Sequence, residues 1–155
     1  MPQVRFNHME LTVPRGALDD TMRAELTAFY GGVLGWETMD VEIVGGTQFL
    51  MRPDEGQFIL VAEHDKHMQS PGYDHLGLLC ETRAEVDDLL AACQAWQESD
   101  DRLRLKVYDD LDTGNLVVHA FYVKYLLPIW FDVQCMEHRT GGPAQRWELV
   151  DQPSA

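Results

Sequence analysis

The chain reads as an α+β protein assembled from two tandem copies of one unit, and three observations predict it. Phe6-Asn7-His8-Met9-Glu10-Leu11 returns as Tyr73-Asp74-His75-Leu76-Gly77-Leu78, an aromatic–polar–His–apolar–free–Leu pattern. The offset is 67 residues (75 minus 8). Val61-Ala62-Glu63-His64 likewise returns as Cys135-Met136-Glu137-His138, at an offset of 74 (135 minus 61). Each half also runs in the same order, one extended segment, one helical segment and three extended segments. Self-similarity at about half the chain length is the mark of an internal duplication. The units span residues 4–64 and 72–138 of one domain, with a short C-terminal tail.

Each element follows from local pattern. Residues 4–13 alternate, with Phe6, His8, Glu10 and Thr12 on one face and Asn7, Met9, Leu11 and Val13 on the other. Pro14-Arg15-Gly16 ends that strand. From Ala17 to Leu34 the apolar residues Met22, Leu26, Phe29, Tyr30 and Val33 recur at helical spacing. Asp19 and Asp20 suit its first turn, and Gly35 its end. Strands are expected at 37–44, 47–51 and 57–63, separated by Gly45-Gly46 and Pro53-Asp54-Glu55-Gly56. Residues 63–72 form a charged linker. The second unit repeats the plan, with a strand at 73–80, a helix at 83–97, and strands at 103–108, 116–126 and 129–137. Asp112-Thr113-Gly114-Asn115 reads as a turn. The tail would be peripheral, pinned by Trp147 and Leu149.

Composition excludes several functions. With 155 residues, 45% hydrophobic, the chain suits a single well-filled core. A net charge of −14 leaves no basic stripe for a phosphate backbone, so nucleic acid is not an expected partner. No stretch is apolar enough to span a bilayer, and the N-terminus lacks a signal-peptide pattern. Three cysteines without CxxC spacing, Cys80, Cys93 and Cys135, point to reduced thiols and a cytoplasmic setting.

His8-Met9-Glu10-Leu11-Thr12-Val13, Phe29-Tyr30-Gly31-Gly32-Val33-Leu34-Gly35-Trp36, Asp74-His75-Leu76-Gly77-Leu78 and Phe121-Tyr122-Val123 together resemble the vicinal oxygen chelate superfamily. That group includes glyoxalase I, extradiol dioxygenases, fosfomycin-resistance enzymes and bleomycin-binding resistance proteins. The resemblance implies two βαβββ modules forming a cupped mixed sheet with helices on the outer faces. It also implies frequent homodimers, some with a metal site completed across subunits.

The resemblance carries His8 and His75 onto the first-strand metal-ligand positions. Alternation agrees, because packing Met9, Leu11 and Val13 under a helix turns His8 and Glu10 into the cup. Leu76, Leu78 and Cys80 do the same for His75 and Gly77. Two imidazoles with oxygen donors would suit Fe, Mn, Zn, Ni or Co. Relatives place a ligand Glu six residues after a turn Pro. Here Gln134 stands six residues after Pro128, and Glu137 is the nearest carboxylate, on the opposite face by alternation. Asp132, Gln134 and Met136 are the expected cup-facing residues. The candidate metal ligands are therefore His8, His75, Gln134 and Glu137, and the candidate catalytic carboxylates are Glu10 and Glu137. Glu10 otherwise reads as a solvated carboxylate, His119 as cup lining or core, and His64, His67 and His138 as surface residues. Trp130, Tyr122, Tyr125 and Phe49 would shape a ligand pocket or fill the core.

Two functions follow. One is a small-molecule metalloenzyme of glyoxalase or dioxygenase type, with a divalent metal chelating a vicinal-oxygen substrate. The other is a metal-free protein that sequesters a cationic drug or metabolite, which the acidity would favour.

Overall fold

A computed structural model describes residue 4 and residues 6–43 and 45–140. Trp147 and Leu149 lie outside the described residues. The first module runs β1 (His8–Val13), α1 (Asp20–Leu26), a π-helical turn (Thr27–Gly31), β2 (Glu37–Ile43), β3 (Gly46–Asp54) and β4 (Gln57–Glu63). The second runs β5 (His75–Leu79), α2 (Arg83–Ser99), β6 (Arg104–Val107), β7 (Leu111–Asp112), β8 (Leu116–Lys124) and β9 (Trp130–His138).

The strands form two sheets, one per module, with the same topology. The first is ordered β1-β4-β3-β2 and the second β5-β9-β8-β6, with β7 also on β8. In both, the first strand runs parallel to the last and the remaining pairs are antiparallel. β6 and β7 pair with opposite ends of β8 and leave Tyr108–Asp110 outside the ladder. Two residues of β7 carry too little alternation to register as a strand, which is why only the turn after them is expected from sequence.

Helix entry is set by capping. Asp19 accepts the Met22 amide at 2.8 Å, satisfying an otherwise orphaned donor of α1. Thr82 and Glu85 form a reciprocal capping box on α2. The expected helix from Ala17 to Leu34 is shorter, because α1 widens at Leu26 into the π-turn. Gly32 permits this turn, since a Cβ there would stand 2.4 Å from the Ala28 carbonyl oxygen.

The core joins the modules through their helical sides. Phe29 packs edge-on to Trp96 and Tyr125, and Tyr30 and Trp36 meet Phe131. The buried Tyr30 hydroxyl donates to the Tyr125 carbonyl at 2.8 Å. Leu11, Val13, Ile59, Val61, Val123, Phe131 and Val133 point into this core. The opposite face of each sheet is left open, and the histidines stand there.

The duplicated Glu near each module's end has one explanation. Glu63 accepts the Leu18 amide at 2.8 Å ahead of α1, and Glu137 pairs with Arg83 at the start of α2 at 2.7 Å. Each closing strand thereby fastens the entry of its own helix. Cys80, Cys93 and Cys135 are free thiols, and burial pushes Cys93 up to about 12.

Candidate functional site

A cleft of about 540 Å³ opens on the free face of the second sheet. Its lining belongs wholly to the second module and includes Tyr73, His75, Tyr108, Tyr122, Asp132 and Gln134. Register explains the grouping. His75 lies beside Trp130, Gly77 beside Asp132, and Asp132 beside Tyr122 on successive strands. Side chains at these positions share one face because the pleat repeats every two residues.

Hydrogen bonding orients both motif histidines in the same way. His75 Nδ1 is 2.8 Å from the Tyr73 carbonyl oxygen, which can only accept, so Nδ1 carries the proton. A neutral ring then presents a lone pair at Nε2. In the first module, Asn7 donates its amide to the Gly56 carbonyl, which leaves Asn7 Oδ1 to accept from His8 Nδ1 at 2.8 Å. His8 is thus held with Nε2 free, its ring stacked on Phe58 at 4.7 Å between centroids. The His75 ring stands edge-on to Tyr122 at 5.2 Å.

Asp132 is the buried charged residue of the described chain, at 7% exposure. Its Oδ1 has no hydrogen-bond partner, and its Oδ2 stands 3.9 Å from His75 Nε2. Burial pushes its carboxyl above the usual range, against the opposing pull of Tyr122 and His75. Burial and the neighbouring Asp132 likewise raise the Tyr122 phenol. Gln134 fits next to this pair because Gly77 has no side chain; a Cβ there would stand 3.2 Å from Gln134 Nε2.

The other expected site residues are placed elsewhere. Glu10 is exposed two residues beyond His8, on the open face of the first sheet. Glu137 is not brought to the cleft, since alternation turns it to the helical side and Arg83 holds its pKa below the usual range. Among the described residues, no three His, Cys, Asp or Glu side chains are grouped closely enough to hold a metal. His119 is neither lining nor plain core; its Nδ1 and Nε2 lie 2.8 Å from Asp110 and Asp87. Of the four aromatics, Tyr122 lines the cleft, whereas Trp130, Tyr125 and Phe49 are buried. Sequence reasoning set Asp132 on the right face without singling it out. Its isolation depends on neighbours in β5 and β8, which alternation within one strand does not reveal.

Solved structures show the same architecture. A glyoxalase family protein from Bacillus anthracis matches with a TM-score of 0.60 at 13% identity, over 88% of this chain and 98% of that one. The chain has the vicinal oxygen chelate fold. A fosfomycin resistance protein from Listeria monocytogenes, solved with Mn(II) and a dihydroxypropylphosphonic acid, is also similar to the chain. It has a TM-score of 0.59 and 18% identity, with 85% of this chain and 90% of that one covered. Lactoylglutathione lyase from Agrobacterium tumefaciens matches at 0.55 and 19%, covering 86% and 95%. No family model matches the sequence, and no curated protein does. Among the described residues, no helix is long and apolar enough to cross a membrane.

The donor types gathered at His75, Asp132 and Gln134 are ones that divalent transition metals accept. Imidazole nitrogen, carboxylate oxygen and amide oxygen together suit Mn, Fe, Co, Ni or Zn. Asp132 Oδ1 is a buried acceptor without a donor, which a metal ligand lacking its metal would be.

Proposed function

We propose that this chain is a small-molecule metalloenzyme of glyoxalase or dioxygenase type, working on a substrate with two vicinal oxygens. The observation that carries the reading is the facing pair of His75 Nε2 and Asp132 Oδ2, 3.9 Å apart and too distant to share a hydrogen bond. With His75 neutral, two acceptors face one space with no proton between them, and a cation there would satisfy both. His75, Asp132 and the Gln134 amide would hold the ion from the second module, and His8 would hold it from the first. A bound divalent metal would supply Lewis-acid polarisation of the substrate oxygens. The Mn(II) in the Listeria monocytogenes protein supports this reading.

The chain's own residues do the rest. The Tyr73 carbonyl and the Asn7 amide keep both imidazoles in the ligand tautomer. Tyr73, Tyr108 and Tyr122 wall the cleft and give the substrate aromatic surface to rest on. Glu10, on the face of His8, is the carboxylate that takes and returns a proton. Since the cleft draws all its lining from the second module, His8 and Glu10 enter it from a second copy of the chain. The functional unit is then a homodimer.

Metal content tests the reading. Protein purified without chelators should carry about one equivalent of a divalent transition metal per chain, lost in the His8→Ala/His75→Ala double variant. Protein that stays empty when offered Fe, Mn, Ni, Co and Zn overturns it and favours metal-free ligand sequestration.

A further inference from the structure

The chain carries 26 carboxylates against 12 lysines and arginines. A cation without an acidic partner is therefore informative. Among the described residues, Arg15, Arg23, Arg52, Arg83, Arg102 and Arg139 each sit on an Asp or Glu. Apart from Lys66 in the linker, the described cations outside any ion pair are Arg104, Lys106 and Lys124. These three lie together on the open face of the second sheet. Arg104 pairs in register with Lys124, and Lys106 with Tyr122.

The cluster covers the buried Trp130 ring and has a direction. The Arg104 guanidinium carbon stands 5.0 Å from the centroid of the Trp130 ring, and Lys106 Nζ stands 5.1 Å from it. Lys106 also donates to the hydroxyl of Tyr73, whose ring lies nearly parallel to Trp130 at 6.4 Å. Lys124 Nζ is fixed by the Pro128 carbonyl at 2.6 Å. Burial and the Arg104 charge hold the Lys124 pKa down, against the weaker opposing pull of Asp74. Trp130 is the register neighbour of His75, and Tyr73 lines the cleft. The cations thus begin one to two strand spacings, about 5–10 Å, from the facing His75–Asp132 pair.

We propose that Arg104, Lys106 and Lys124 form an anion subsite that holds a carboxylate arm of the substrate. A guanidinium fork and two ammonium groups match a carboxylate in shape and charge, and the exposed Tyr73 beside them lines the cleft along which the carbon skeleton leads to it. The substrate class is then an elongated organic acid, with vicinal oxygens at one end and a carboxylate at the other. The oxygen end rests on the metal-site reading; the carboxylate end stands on the cations alone.

Calorimetry on the full chain with hydrocinnamate, its amide and phenethylamine reads the subsite without any chelating group. Hydrocinnamate should bind about tenfold more tightly than the amide, with phenethylamine weakest, and the advantage should shrink as salt rises. Arg104→Gln and Lys106→Gln should each lose most of that advantage while melting as the wild type does, and Lys106→Glu should turn the preference toward phenethylamine. Equal affinities, tighter phenethylamine binding by the wild type, or no hydrocinnamate binding at millimolar concentration overturns the subsite. Dihydrocaffeate with Mn(II) separates the two readings. An acid-over-amide preference without any gain from the metal sinks the metal site and leaves the subsite standing; a gain from the metal without that preference does the reverse.

Discussion

Asp132 occupies a position where an ionised carboxylate is poorly served, buried and with one oxygen unpartnered. Natural sequences retain such groups where a ligand makes use of them. Asp132→Asn keeps the shape and removes the charge, so it should raise stability at neutral pH by about 1 kcal/mol while weakening metal binding at least tenfold. Thermal melts and metal titration of the same variant check both, and a melting temperature below the wild type would refute the account of Asp132 as a strained carboxylate. Gly77 offers a second residue-level test. An added methyl meets only the flexible end of Gln134, so Gly77→Ala should cost less than about 1 kcal/mol yet displace Gln134 and weaken ligand binding. Adding Gln134→Ala should relieve the crowding, which melting of the double variant would show. Alternation along β1, β5 and β9 was enough to assign the open-face residues His8, His75, Asp132 and Gln134. What it could not disclose is which of them lacks a partner, because that depends on side chains from three strands.

Among the elements, α2 is tied to its sheet by a cluster of charges rather than by packing alone. His119 on β8 meets carboxylates at both ring nitrogens, Asp110 from the segment between β6 and β7 and Asp87 from α2. Ionised carboxylates only accept, so both nitrogens donate and the ring is an imidazolium. Burial opposes that charge, the bonds to Asp110 and Asp87 outweigh it, and the net effect raises the His119 pKa despite the nearby Arg83. A proton held more tightly in the folded chain stabilises it fully below the unfolded value near 6.5, and the benefit is lost as pH rises through the higher folded value. The melting-temperature advantage of the wild type over His119→Gln should therefore shrink as pH rises above about 6.5. No sequence signal marks this cluster, whose members are 32 and 9 residues apart. The π-turn was equally hidden, since Phe29 and Tyr30 keep their apolar face whether the turn is α or π. Its trace is Gly32, legible only once the Ala28 carbonyl is in place.

On the scale of the whole molecule, the duplication read from the two His motifs reappears as two sheets of identical strand order. How the modules sit was not written in the repeat. Their helical sides share one core around Phe29, Tyr30 and Phe131, and the histidine-bearing faces open separately. If a second copy completes the site, mixing two defective variants restores it. His8→Ala and His75→Ala homodimers should each bind metal poorly, whereas their mixed dimer contains one site with both histidines. After subunit exchange, about a quarter of wild-type metal occupancy should return. A site built within one chain would gain nothing from mixing.

The interruption at Tyr108–Asp110 has a consequence for how copies of this chain can meet. A continuous edge strand would offer a row of free backbone donors and acceptors on which another chain could add, and another after it. Here the outer edge of the second sheet breaks between β6 and β7, and two carboxylates, Asp109 and Asp110, occupy the gap. Growth by strand addition along that border is blocked. Any such addition is left to the other borders, β5 on this sheet and β1 and β2 on the first.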